Sequence, residues 1–314
     1  MAEKKSAAKK PAAKKKKTQS KTAVKPLDRR KLHKALLYVL AAIVIAVAGY
    51  FAREYLMPAP LVDGTVDFHF IDVGQGDGAL IMTEDGNVLI DAGPASSATE
   101  LNAYLDKFGV TDIEYAIFSH PHEDHIGGAA SVVNSRNIKN VIMPDAEYDT
   151  KTYDRLLTAL EASTKTNVIP AKSGDVYELG NVKIRILAPN SDEYKSTNDY
   201  SVVAKISYGA TSFMFTGDAE ALSEREIMSV YNSYELKSNL LKVGHHGSTT
   251  SSSDEFLDAV NPSIAVICCA TGNDYGHPHT KTMEKLTERN ITVYRTDIDG
   301  SIILTTNGTD IYKK

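Results

Sequence analysis

The chain reads as an α/β (α+β) protein, two sheets covered by helices and preceded by one apolar membrane helix. Three observations predict this. From residue 65 onward strand-like runs come first and then alternate with helix-length stretches, with no internal repeat. Ala35 to Ala52 gives eighteen residues without a charge, about long enough to span a bilayer. Several strand-like runs end in clusters of His, Asp and Gly, as they do where a cleft is built from strand tips.

Taken in order, residues 1–34 hold fourteen Lys or Arg against Glu3 and Asp28, with Ala, Ser, Thr and Pro between. Such a segment cannot build a core and is expected to be a disordered, Lys-rich tail on the cytoplasmic side. Residues 35–53 follow as a single-pass anchor, with Tyr38 and Tyr50 near its two ends. A cleaved signal peptide is disfavoured by the length of the basic region and by Arg53-Glu54-Tyr55, which offers no small-x-small site. The positive flank keeps the N-terminus inside and places the rest outside the cell. Residues 54–64, with Met57-Pro58-Ala59-Pro60, form a short stiff linker. The tail carries +12 of a chain that nets −5, so the remainder carries −17.

Residues 65–314 then form one compact domain. Val66 to Val73, Ala79 to Thr83 and Asn87 to Asp91 read as strands, the last two joined by a hairpin turn at Glu84-Asp85-Gly86. Ser96 and Ser97 are placed to cap a helix through about Lys107, which ends at Gly109. Further strands are expected near 113–119, 139–143, 182–187, 201–207, 211–216, 240–243, 263–269, 291–294 and 301–306. Helices are expected near 126–134, 150–163, 219–231, 252–259 and 279–288. The glycine-rich turn Asp72-Val73-Gly74-Gln75-Gly76-Asp77-Gly78 is not a dinucleotide fingerprint, because a hairpin rather than a helix follows it.

The densest chemistry is His120-Pro121-His122-Glu123-Asp124-His125, with four metal-ligating side chains in six residues after the apolar run Tyr115-Ala116-Ile117-Phe118. On a strand end His120 and His122 share a face, and a following turn carries Asp124 and His125 round to a second metal. The set suits zinc or another borderline divalent ion. Seven of the nine histidines fall in three clusters, completed by His245/His246 and His277/His279. Asp218 stands at another strand tip in Thr216-Gly217-Asp218. Asp72, Asp77 and Asp91 are candidates to orient the imidazoles, and turn chemistry is the competing role for each. Cys268 and Cys269 adjoin in an apolar run and are expected to pack, not to pair.

His-x-His-x-Asp-His, Thr-Gly-Asp and a later Gly-His resemble the metallo-β-lactamase superfamily, whose fold is a four-layer αββα sandwich. Within it, residues 70–77, 89–93, 242–248 and 275–279 are similar to the hydrolase domain of the ComEC competence proteins, over residues 65 to 306. The channel part of those proteins has no counterpart here. The resemblance implies His120 and His122 on the first metal, Asp124 and His125 on the second, and Asp218 bridging. His245 or His246 would complete the second site. The family's third histidine is replaced by Asn198-Asp199-Tyr200-Ser201, so Asn198 or Asp199 would supply an oxygen to the first site, and Mn²⁺ becomes an alternative to Zn²⁺.

Two such ions about 3.5 to 4 Å apart activate a water and stabilise an in-line displacement. Asp124 would orient the attacking group. His277 would donate to a phosphoryl oxygen or leaving group, and Ser248, Thr249 and His279 would contact substrate. The expectation is an outward-facing, membrane-anchored, metal-dependent phosphodiesterase acting on DNA or a nucleotide. The −17 balance offers no basic track for long nucleic acid and favours a small or cell-envelope phosphodiester, of phosphocholine or teichoic-acid type, as the alternative. A third reading is a tether whose basic tail binds nucleic acid or anionic lipid, although intact ligands argue against a degenerate domain.

Overall fold

Among the described residues fifteen short strands, most of them alternating between two apolar faces, fold into two facing sheets with helices outside. The computed structural model describes residues 29–56 and 60–314, with side chains from 29 to 47 and from 60 onward. The strands are β1 (Val66–Phe70), β2 (Gly78–Thr83), β3 (Gly86–Ala92), β4 (Asp112–Ile117), β5 (Asn137–Met143), β6 (Asn167–Pro170), β7 (Val176–Leu179) and β8 (Val182–Ala188). They continue as β9 (Val203–Tyr208), β10 (Thr211–Phe215), β11 (Leu240–Lys242), β12 (Ile264–Ile267), β13 (Thr292–Arg295), β14 (Ile302–Thr306) and β15 (Ile311–Lys313). One sheet runs β15-β14-β1-β2-β3-β4-β5-β6 and the other β13-β12-β11-β10-β9-β8-β7.

The period of two explains the layering. Phe68 and Phe70 point between the sheets, where they meet Phe213 and Phe215; the rings of Phe68 and Phe213 stack at 3.6 Å. His69 between them points the other way, against Tyr104 and Phe108. Leu80, Leu89, Ala116 and Val141 face the helices Ala98–Lys107, Ala129–Ser135 and Lys151–Ala162. On the opposite side Met214, Leu241, Ala265 and Ile267 face the helices Ala221–Val230, Asp254–Val260 and Thr280–Glu288. The result is the four-layer αββα order that the motifs imply.

Several local expectations need correction. The turn joining β2 to β3 is as expected, with Thr83 paired to Gly86. The helix Ala98–Lys107, in contrast, is not capped by a serine side chain; a 3₁₀ turn leads into it and Ser97 Oγ donates to Pro94 O instead. Strands β6, β7 and β15 were not expected from the sequence.

Packing divides the chain into two units, Met1–Leu56 and Met57–Lys314. The first contains a helix, Arg29–Leu56, with exposed Leu36, Leu37, Ile43 and Ile45. Among the described residues no helix is long and apolar enough to cross a membrane. The expected anchor over 35–53 extends past the described side chains, which stop at 47, and the tail over 1–28 and linker positions 57–59 lie outside the described residues.

Candidate metal centre

Strand β4 ends at Ile117, the chain runs on through Phe118 and Ser119, and it turns at His122, which opens a single helical turn, Glu123–Ile126. This strand-to-helix switch places His120 and His122 on one side and Asp124 and His125 on the other. Gly76 makes the turn beneath the site feasible: any Cβ there would lie 2.3 Å from Asp124 O, at a φ of +149°. Gly217, at φ +50°, plays the same part next to Asp218, with Ser119 Cβ 2.7 Å from where its Cβ would be.

Asp218 sits at the tip of β10, 2 % exposed, and its two oxygens face different histidines. Oδ1 lies 3.2 Å from His125 Nε2 and 3.6 Å from His246 Nε2. Oδ2 lies 3.8 Å from His120 Nε2 and 3.6 Å from His245 Nε2. Asp124 Oδ2 approaches His246 Nε2 at 3.2 Å and His125 Nε2 at 4.0 Å. His122 Nδ1 is 3.0 Å from His120 Nε2 at the exposed rim. Ligand atoms of His120, His122 and Asp218 fall within 4.8 Å of one another, as do those of Asp77, His125, Asp218 and His246.

The back of the site fixes which imidazole nitrogens face inward. His125 Nδ1 bonds to Asp91 Oδ2 at 2.8 Å, and Asp91 also accepts from the amide and hydroxyl of Ser119. His246 Nδ1 donates to Cys268 O at 2.9 Å with Asp77 Oδ1 at 3.3 Å. His120 Nδ1 is held by Ser119 Oγ and Ser201 Oγ at 3.1 and 3.4 Å. Asp77 therefore lies against the Nδ1 side of both His246 and His125, the side away from Asp218. It is itself paired to buried Lys242, which also donates to Gly217 O.

Three buried atoms that point toward one another have no hydrogen-bond partner: His125 Nε2, His246 Nε2 and Asp218 Oδ1. Natural proteins rarely leave such groups unsatisfied. Asp91, Asp124 and Asp218 also stand against these imidazoles, and Lys242 pairs with Asp77. Burial opposes charge on His246, but Asp218 and Asp77 carry it up to about 9. Burial likewise opposes charge on His125, and Asp218 and Asp91 hold it well above the usual range. Convergent imidazoles and carboxylates with orphaned lone pairs fit divalent cations.

Not every expected residue joins this centre. Asp72 is exposed and accepts from the Gly74 amide, so it shapes a turn and does not orient an imidazole. Asp199 accepts from the amides of Glu220 and Ser223 at the start of Ala221–Val230, a capping role that removes it as a ligand. Asn198 Oδ1 is buried without a partner, while its Nδ2 donates to Glu220. Ser248 is buried and organises its own loop through Thr250, and Thr249 is exposed with its amide on His279 Nδ1. His277 stands beside the centre, its ring 5.4 Å from that of His245, with Nδ1 unpartnered. Burial and the neighbouring imidazoles of His246, His245 and His279 push it down to about 4, so it is neutral at physiological pH. Ser119, Ser201 and Lys242 escaped the sequence reading, because a serine at a strand tip and a lysine inside a strand carry no signal of their own.

Of the two alternatives for the second site, His246 converges with Asp77, His125 and Asp218, and His245 lies at the other oxygen of Asp218. Both adopt left-handed backbone, at φ 48° and 53°, which non-glycine residues avoid. The strained pair sends the rings to opposite oxygens of Asp218, His246 to Oδ1 beside His125 and His245 to Oδ2.

Residues 71–271 match the model of the metallo-β-lactamase superfamily. The chain is 30 % identical over 266 residues to ComE operon protein 3 of Bacillus subtilis, which covers 79 % of this chain and 34 % of that protein. It is 29 % identical to Recombination protein 2 of Haemophilus influenzae, over 74 % of this chain and 28 % of that one. It is 28 % identical to Competence protein ComA of Neisseria gonorrhoeae, over 82 % and 34 %. The chain thus spans about a third of the length of these relatives. Among solved structures, the metallo-β-lactamase fold protein YhfI of Bacillus subtilis superposes with a TM-score of 0.52 at 14 % identity, covering 80 % of this chain and 99 % of that one. On its fold, its ligand-bearing strand tips and this match, the chain belongs to the metallo-β-lactamase superfamily.

Proposed function

We propose that this protein is a binuclear metal-dependent phosphodiesterase acting on DNA or a nucleotide. The observation that carries the binuclear part is the division of labour at Asp218, whose two oxygens each face a pair of imidazoles. His120, His122 and His245 would hold one ion, Asp124, His125 and His246 the other, with Asp218 between them. Zn²⁺ and Mn²⁺ are both compatible, and His245 restores an imidazole to the first site, which lessens the need for oxygen from Asn198. Two divalent ions there would activate water at neutral pH and neutralise charge in an in-line displacement. Asp124, whose carboxylate reaches the edge of the centre, orients the attacking group. His277, neutral and unpartnered at Nδ1, presents an N–H to a phosphoryl oxygen or leaving group.

The named competence and recombination relatives support a nucleic-acid substrate. The acidic balance of residues 35–314 is the observation that favours the alternative, a small or cell-envelope phosphodiester. The apolar run at 35–52 supports a membrane anchor with the catalytic part outside, and the tail at 1–34 would then contact anionic lipid or nucleic acid within the cell.

The test is hydrolysis of a bis-aryl phosphodiester and nicking of DNA by the full-length chain loaded with Mn²⁺ or Zn²⁺. Asp124→Asn should abolish both while circular dichroism stays native. His277→Ala should lower kcat by roughly 100-fold with a smaller change in KM. Hydrolysis of β-lactams or thioesters without phosphodiester cleavage would reject this reading and leave the superfamily membership standing.

A further inference from the structure

Between β12 and the helix Thr280–Glu288 the chain makes a loop whose most prominent feature is Tyr275, 67 % exposed. A single exposed aromatic is ordinary on a mobile loop, but this loop is tied down. Asn273 spans it with four hydrogen bonds: Nδ2 donates to Ala270 O at 2.8 Å and to His277 O at 2.6 Å, and Oδ1 accepts from the amides of Tyr275 at 3.1 Å and His277 at 2.9 Å. His279 pins it to the histidine-bearing loop, with Nδ1 accepting from Thr249 N at 3.0 Å and Nε2 donating to Tyr275 O at 3.2 Å. One face of the Tyr275 ring lies along His277, centroids 5.6 Å apart and planes 20° from parallel. With that face covered and the residue so exposed, the other face is open to solvent. His277 in turn is 5.4 Å from the His245 ring and 6.1 Å from the His246 ring.

A flat ring on a tied-down loop therefore stands one side chain, that of His277, away from the rings of His245 and His246. We propose that Tyr275, backed by His277, is a stacking platform for the base next to the scissile phosphate, so that the preferred substrate is a nucleic-acid strand with unpaired bases. This rests on the phosphodiesterase reading above. In a duplex the bases are already stacked on one another and offer no face to such a ring, whereas a single strand does. A quaternary ammonium, the other group an aromatic attracts, is held best by several enclosing rings, and among the described residues the ring contact of Tyr275 is with His277.

The test uses the full-length chain with Mn²⁺ and three oligonucleotides: a single strand, the same strand with abasic sugars throughout, and its duplex. Stacking on one ring corresponds to roughly a tenfold effect on affinity or more. Tyr275→Ala should raise KM for the single strand by about that factor, leave kcat within about threefold, and leave KM for the abasic strand unchanged; Tyr275→Phe should behave as wild type. Fluorescence anisotropy of the same three oligonucleotides reads the platform without turnover, so absence of hydrolysis in the wild type would sink the phosphodiesterase reading while binding still decides this one. Equal affinity of wild type and Tyr275→Ala for the base-bearing strand overturns the platform, as does an equal loss on the abasic strand. A Tyr275-dependent affinity for phosphocholine vesicles in place of the oligonucleotide also overturns it.

Discussion

Asp218 and the pair His245-His246 set what each ion would cost to lose. Because Oδ1 and Oδ2 face different imidazoles, Asp218→Ala should bring metal content below about one ion per chain, while His246→Ala and His245→Ala should each remove one ion and leave the other. Elemental analysis after loading and desalting checks this; loss of both ions in either histidine variant would refute the division. The convergence of His120, His122, Asp124 and His125 was legible because a strand end and one helical turn suffice to aim them. Which way His245 and His246 point was not, because that depends on two left-handed residues whose strain is paid by the surrounding fold. Away from the centre, His69 gives a pH prediction. Burial between β1 and the helix Ala98–Lys107 is the main cause that pushes it from 6.5 down to about 4. The unfolded chain thus binds this proton below 6.5 and the folded chain only near 4, so stability falls as pH drops through that window, by up to about 3 kcal/mol. His69→Gln should flatten the curve between those values relative to wild type in urea titrations; parallel curves would exclude the role.

At the scale of elements, stability resides in the contact between sheets. Phe213 is fully buried on β10 and stacks on Phe68 of β1, so Phe213→Ala removes a contact joining the two sheets. A loss of about 3–5 kcal/mol is expected from chemical denaturation. A loss under about 1 kcal/mol would mean the cavity collapses and the two sheets are not coupled there. The strands that carry this core announce themselves through alternation, which is why β1 to β5 and β8 to β14 fall close to the expected ranges. Strands β6, β7 and β15 are edge strands with largely exposed residues, such as Asn167, Val168, Val176 and Lys313, and so bury too little to imprint a pattern. The serines before Ala98–Lys107 show the converse limit. Composition marks a helix start, but Ser97 gives its hydroxyl to Pro94 O because a 3₁₀ turn reaches the helix first.

For the whole molecule, charge and apolarity are divided along the chain: +12 in residues 1–34, eighteen uncharged residues from Ala35, and −17 in the remainder. A polybasic flank is retained on the cytoplasmic side of a membrane, where anionic lipid attracts it, and an acidic domain is repelled from that surface. On the membrane-anchor proposal, the arrangement that would satisfy both is N-terminus inside and residues 54–314 outside, uncleaved. Protease added to intact cells should therefore remove the domain beyond Met57 and spare an epitope placed in the Lys-rich tail, and permeabilisation should expose both. The domain itself is strand-rich with a well-buried core, so a fragment near the size of residues 60–314 should be released before it is degraded. Release of that fragment would also separate anchoring from catalysis, since every residue of the metal centre lies between Asp77 and His277. A tail that is cut from outside, or a soluble form beginning near residue 53 without added protease, would reverse the orientation or replace the anchor by a cleaved leader.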